Sequence, residues 1–439
     1  MSIAKKKVVI LFGSGAAIPW KAPSTFDLTS SIIKSSAPDF VCSDGQTKVT
    51  EYIYNALAKC YPKEDINFET IINIIEELIV HYSYFDNKRE LPSLSKILFS
   101  SKFGNDILNF SIKGKVKKHG YYLEIPKDTE YNFSNPSLNS ESPEQFYFQH
   151  LLAEILTDIC AEIPQYEYHS NQRSVIFTPN NNERNENFQK WIKKIADASV
   201  VRMYTLNYDR LFKVLSIRAG IEVFEGFECD EYIPQHGLKP NVQRILSDFT
   251  SNIHYNLHGS SNWEVHSLDE YSQLQNPWIS LQPYPIFEIN STQNAILQIE
   301  KGKSILVSNI ITGFQKAQKS FITPFKQMQA SFDSDCSYAN EMFVIGYSFG
   351  DAHINASIKT ALKYNPNLKL HFIDPAYCEK DGKKGYELLC ERLIYIFPEI
   401  FSTKRTNPIY SDDKDTCTYY NNLLKVTATG FEEYLSKEL

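Results

Sequence analysis

Five short apolar runs, each ending in glycine or polar residues, constrain this chain more than any other feature. Val8–Phe12 leads into Gly13-Ser14-Gly15, and VVRMYTLNYD (200–209) runs into Asn207 and Asp209. IHYNLHGSSNW (253–263) reaches His258-Gly259-Ser260, EMFVIGYSFGD (341–351) reaches Gly346 and Ser348, and LKLHFIDPA (368–376) reaches Asp374. Runs this short, rich in β-branched and aromatic residues, fit strands buried on both faces. HINASIKTALKY (353–364), just past the fourth run, has helical spacing. Strand, polar turn, helix, strand is the grammar of a parallel sheet with helices on both faces.

Between the first and second runs the pattern changes. NFETIINIIEELIVHYSYF from Asn67 and PEQFYFQHLLAEILTDICAEI from Pro143 both place apolar residues at helical spacing. NFSNPSLNSESPE (132–144) and TPNNNERNENFQ (178–189) read as polar surface loops. The expected architecture is α/β, a Rossmann-like doubly wound parallel sheet with a large helical insertion. Residues 1–30 and 196–380 would form the core, 31–195 the insertion, and 381–439 a C-terminal segment packing on the core. The terminal GFEEYLSKEL reads as the end of a module with no sensor domain appended.

A hydrophobic fraction of 42% is ample for a packed core and argues against disorder. The net charge of -7 argues against a chain devoted to nucleic acid, so no direct nucleic-acid partner is expected. Lys5-Lys6-Lys7 before Val8–Phe12 imitates a secretion signal, but the apolar stretch stops well short of the seven to fifteen residues or so that a signal needs. No run approaches a membrane span. The eight cysteines are scattered, with no Cys-x-x-Cys, which speaks against a zinc ribbon or a disulfide framework and for a cytoplasmic protein.

The glycine turn after the first run sits where open α/β sheets bind ligands, beyond the carboxyl ends of the strands. Glycine there allows positive φ and close approach of a diphosphate to the backbone. The full dinucleotide fingerprint wants a third glycine at position 18, where this chain has Ile18. Read singly, Gly13-Ser14-Gly15 is as well explained by a tight turn, Asn207 and Asp209 by turn formation, His258 by a satisfied core position, and Ser348 by a helix cap. Their joint occurrence, in this order on successive strand ends, favours a site.

That order resembles the sirtuin family, and within it the sirtuin-like NAD hydrolases of bacterial antiphage defence. The matching residues are Gly13, Ser14, Gly15, Ala16 and Ala17; Asn207 and Asp209; His258, Gly259 and Ser260; and Gly346 and Ser348. Asn67-Phe68-Glu69, Pro324 with Lys326, and Gly346–Asp351 with His353 resemble the bacterial subgroup in particular. Deacylating sirtuins carry a four-cysteine zinc module between the histidine and the Gly-x-Ser turn, where this chain has Cys336 alone, and Ile-Pro-Asp-Phe-Arg where it has Ala22-Pro23-Ser24-Thr25-Phe26. Both departures argue against protein deacylation.

The resemblance implies cleavage of NAD+ to nicotinamide and ADP-ribose, with NAD as substrate and no metal. His258 would accept a proton, Asn207 would orient the ribose or a water, and Asp209 would either hold its loop or favour the developing positive charge. Gly13 to Ala17 would meet the diphosphate, Gly346 and Ser348 the adenosine half, and Asp374 the adenosine ribose. The resemblance also implies a homo-oligomer, with a neighbouring-gene partner such as a DNA-translocating ATPase or an Argonaute-type protein. The alternatives are an NAD-dependent protein deacylase and a non-catalytic module that senses NAD or ADP-ribose.

Overall fold

The computed structural model describes residues 5–34, 40–42, 46–82, 116–118, 121–123, 143–164, 166, 176, 178–229, 237–266, 278–285, 296–300, 303–312, 316, 322–375, 383, 385–401, 409–410, 415–419 and 423–438. Most of the loop expected at 132–144 lies outside them, as does Cys378. The chain divides into two compact units, one of residues 1–24, 163–260 and 323–439, the other of 25–162 and 261–322.

The first unit is built on an eight-stranded sheet. Its strands are β1 (Lys6–Phe12), β2 (Ser199–Thr205), β3 (Ile253–Asn256), β4 (Glu341–Ile345), β5 (Lys369–Ile373), β6 (Ile409–Tyr410), β7 (Thr416–Tyr419) and β8 (Leu424–Thr427). Their spatial order is β6-β7-β8-β5-β4-β1-β2-β3. β3, β2, β1, β4, β5 and β8 run parallel, and β7 and β6 close the edge antiparallel. The parallel strands thus follow the doubly wound order in which sequence direction reverses between the first and fourth. All five runs singled out in the sequence are strands of this sheet.

Alternate side chains on β1 and β2 take opposite faces, as the period of two requires. Val8, Ile10, Phe12, Val201 and Met203 enter an aromatic core with Trp20, Phe188, Trp191, Phe212 and Phe431. Phe12 stacks on Phe212 with ring centroids 3.8 Å apart. Phe188 and Trp191 come from a helix at Asn182–Ala198, so the loop expected at 178–189 is a short 3-10 turn at Pro179–Asn181 followed by that helix. Its abundance of Asn and Glu hides an apolar stripe of Phe188, Trp191, Ile192 and Ile195. Residues 163–198 therefore lie with the sheet unit, and 381–439 supply three of its strands.

On the other face Arg202 and Tyr204 meet the helix Phe325–Tyr338. Asp335, fully buried, accepts from Arg202 Nε at 2.6 Å, from Lys7 Nζ at 2.6 Å and from the Tyr204 hydroxyl. Arg202 also donates to the Ser251 carbonyl at 3.0 Å. Removing one member of such a network strands the opposite charge in a low dielectric. Asp335→Ala is expected to lower stability by about 3–5 kcal/mol, measured by denaturant unfolding; a loss under about 1 kcal/mol would contradict this reading of the network.

The second unit holds helices at Thr25–Lys34, Val49–Leu57, Phe68–Tyr82 and Pro143–Glu162. Asn67 Oδ1 accepts from the Glu69 and Thr70 amides and so starts the third of them. Ile71, Ile75 and Leu78 of that helix and Leu151, Ile155 and Ile159 of the next are buried where the two pack together. Antiparallel hairpins pair 116–118 with 121–123, 263–266 with 278–281, and 296–300 with 303–306.

Candidate functional site

The register brings every strand end named in the sequence to one edge. Phe12 pairs with both Thr205 and Ile345, Thr205 with Asn256, Ile345 with Ile373, and Ile373 with Thr427. One step further the ladder continues, through Leu206 N to Phe12 O, Leu257 N to Thr205 O, Gly13 N to Ile345 O and Gly346 N to Ile373 O. Asp374 N, at the same height, donates to Thr427 O. Gly13, Gly346 and Asp374 thus stand one residue past the row, and Asn207 and His258 two residues past it on adjacent strands.

At the reversal between β1 and β4 the two glycine turns lock together. Gly15 N donates to Gly346 O at 3.0 Å, and Ala16 N to Gly13 O at 3.1 Å. A Cβ on Gly13 would lie 2.3 Å from Gly346 O, and one on Gly15 2.9 Å from Gly346 Cα. The glycines are therefore required first by each other, because two backbones cross within van der Waals contact. The amides of Gly13, Gly15 and Ala16 are committed within the fold. Ser14 is exposed at the start of the short helix Ser14–Ala17, while Ala16 and Ala17 at its end are buried.

The turn after β2 is held from three sides. Thr205 Oγ1 accepts from Asn207 N at 3.0 Å, Asn256 Nδ2 donates to the Asn207 and Asp209 carbonyls at 3.0 and 2.8 Å, and Ser260 Oγ donates to the Tyr208 carbonyl at 3.1 Å. Asn207 is left with its side-chain nitrogen buried and without a hydrogen-bond partner among the described residues. Such groups are rare, and each asks what the fold keeps it for.

Asp209 Oδ1 accepts from Leu211 N at 2.9 Å, at the start of the helix Leu211–Arg218. Burial pushes its carboxyl up from 3.8 to about 6, against the pull of the backbone amides at Leu211 and Asp209. The folded chain binds this proton more tightly than the unfolded chain, so the Asp209 contribution is most favourable below pH 4 and declines as pH rises through 6. The shift amounts to about 3 kcal/mol above pH 6. Asp209→Asn keeps the acceptor for Leu211 N. It should be more stable than wild type by roughly that amount at pH 8 and no more stable at pH 4. Denaturation at the two pH values checks this, and a pH-independent gap would refute it.

His258 is buried, with Nε2 3.9 Å from Asp351 Oδ1 and its ring 5.7 Å from the His353 ring. Asp351 and His353 stand at the start of the helix Ala352–Tyr364, directly after the Gly346 turn. In the sequence they belong to the Gly346–Asp351 and His353 stretch that resembles the bacterial subgroup; the fold brings both near the histidine. Ser348 is exposed and Asp374 buried. Asn256 and Ser260 were not legible as supports, since their partners are backbone carbonyls of another strand's turn.

Among the described residues, no group of three or more His, Cys, Asp or Glu stands together as a metal ion would need. Nor is any helix there long and apolar enough to cross a membrane. Cys42, Cys160, Cys336, Cys390 and Cys417 are buried free thiols, and Cys60 and Cys229 exposed ones.

No protein-family pattern matches the chain. No curated protein matches it either. Among solved structures, an ADP-ribose complex of a Sir2 homologue is similar at 12% identity and a TM-score of 0.30, over 92% of this chain and 96% of that one. A Sir2 homolog–NAD complex gives 12% identity and 0.30 over 90% and 91%. Sir2Tm bound to a propionylated peptide gives 11% and 0.28 over 89% and 92%. TM-scores this low carry nothing about the site, which rests on this chain's own geometry.

Proposed function

We propose that this chain is an NAD+ glycohydrolase that releases nicotinamide from NAD+ and leaves ADP-ribose. The reading is supported above all by one observation. Asn207, with a buried and unpartnered amide nitrogen, and His258 stand two residues past paired positions on adjacent parallel strands. Adjacent strands lie about 4.8 Å apart, so one ligand at this edge can meet both turns. The doubly wound order adds support, because its reversal point between β1 and β4 is where such sheets receive nucleotides.

In this reading Asn207 donates its free amide hydrogens to a ribose hydroxyl or to the attacking water. His258 takes the water's proton, which an imidazole can do near neutral pH. Asp209 is a positioning residue that keeps the 205–210 turn in place. The diphosphate is met at the turn from Gly13 to Ala17, on the side where Ser14 is exposed. Gly346 and Ser348 border the adenosine half, and Asp374 accepts from its ribose.

The setting, depletion of NAD+ in antiphage defence by a homo-oligomer under a partner's control, rests on the resemblance noted from sequence. Incubation of the purified chain with NAD+, alone and with the neighbouring gene's product, and measurement of nicotinamide separate an enzyme from a sensor. Binding without release under both conditions would replace the hydrolase by a sensing module, and acyl-lysine peptide turnover would replace it by a deacylase.

A further inference from the structure

Asp351 occupies the N-cap position of the helix Ala352–Tyr364, yet its side chain makes no cap hydrogen bond. An aspartate there ordinarily accepts from an amide of the first turn. Its backbone is instead fixed by a neighbour: the buried Tyr347 hydroxyl accepts from Asp351 N at 3.1 Å and lies 3.1 Å from both the Asp351 carbonyl and Asn355 Oδ1. Asn355 Nδ2 holds the Phe349 carbonyl at 2.8 Å, across a residue whose φ is +62°. A non-glycine residue in that region is uncommon and persists only where its surroundings impose it. The loop is built to hold one geometry, and the carboxylate it carries lies 3.9 Å from His258 Nε2.

We propose that Asp351 is the positioning carboxylate of His258, set opposite Nε2 to stabilise the protonated imidazole during turnover. The inference rests on the hydrolase reading for its role in the reaction, though the pairing itself does not. At 3.9 Å the contact between Asp351 and Nε2 is longer than a direct hydrogen bond, which leaves room for the proton that Nε2 takes up in the reaction. As the water oxygen bonds to the ribose carbon, the bond to nicotinamide breaks and its electron pair leaves with nicotinamide. The water's proton passes to Nε2, and the imidazolium faces the carboxylate until the proton returns to solvent. Asp351 and His353, both set near the imidazole, come from this loop and the first turn of its helix.

The test is the pH dependence of nicotinamide release by Asp351→Asn, with NMR titration of the His258 imidazole in the same variant without NAD+. Loss of the carboxylate should lower kcat at pH 7 about tenfold or more, leave KM within about twofold, and move the acid limb down by about one pH unit. The imidazole should titrate in the same direction, and Asp351→Glu should recover part of the rate. Asp351→Ser, which places another residue favoured at helix N-caps there, serves if the asparagine variant does not fold. An unmoved acid limb and an unmoved imidazole titration would overturn the proposal. If wild type releases no nicotinamide, the hydrolase reading fails while the imidazole titration still decides the pairing.

Discussion

His258→Ala is expected to reduce nicotinamide release by about 10²–10⁴-fold, the usual contribution of a positioned general base. Asn207→Ala should reduce it comparably, because a misplacement of the reacting group by about 1 Å can cost on the order of 10²-fold. The two side chains are reached by different routes: His258 through the turn that ends β3, Asn207 through a turn clamped by Asn256 and Ser260. A histidine removed from a purely structural position would lower stability without touching turnover per folded molecule. Active-site titration with thermal melting of the same samples distinguishes the cases. Turnover within twofold of wild type in either variant would remove that residue from the reaction.

Gly346→Ala is expected to have the largest effect on folding. A Cβ there would lie 2.1 Å from Ala16 N and 2.5 Å from the Gly15 carbonyl carbon, both backbone atoms, and the residue sits at φ +60°. Neither turn can yield without breaking the Gly15 N to Gly346 O bond, so the cost should exceed about 4 kcal/mol. Gly220 supplies the control, with φ +75° and nothing within 4 Å of the point a Cβ would occupy. There alanine meets only backbone strain, about 1 kcal/mol. Thermal melts of the two variants should differ widely; near-identical melts would mean that the crossing of the two turns is not under the constraint described.

The fold was legible in the sequence where local pattern and burial agree. Val8–Phe12, 200–205 and 342–345 are short, largely apolar stretches buried along their length, and no amphipathic alternation confuses them. It was hidden at Asn182–Ala198, where the apolar stripe is narrow and the remaining positions strongly polar. It was hidden too at β8, a four-residue strand that gains its place only by pairing with its neighbours β5 and β7. At the site, strand tips were legible because a parallel sheet sends all its carboxyl ends to one edge. The supports were not: Asn256, Tyr347 and Asp351 act through contacts that exist only once separate turns have been brought together. The glycines were recognised for a real reason, close approach, but the approaching partner within the fold is another glycine turn.

The most direct measurement is a crystal structure of the His258→Ala variant with NAD+ bound. The account predicts the diphosphate beside Ser14 at the reversal between β1 and β4, with the nicotinamide ribose within hydrogen-bond reach of Asn207 Nδ2. A dinucleotide lodged away from that edge, or an Asn207 amide turned from the ribose, would contradict it.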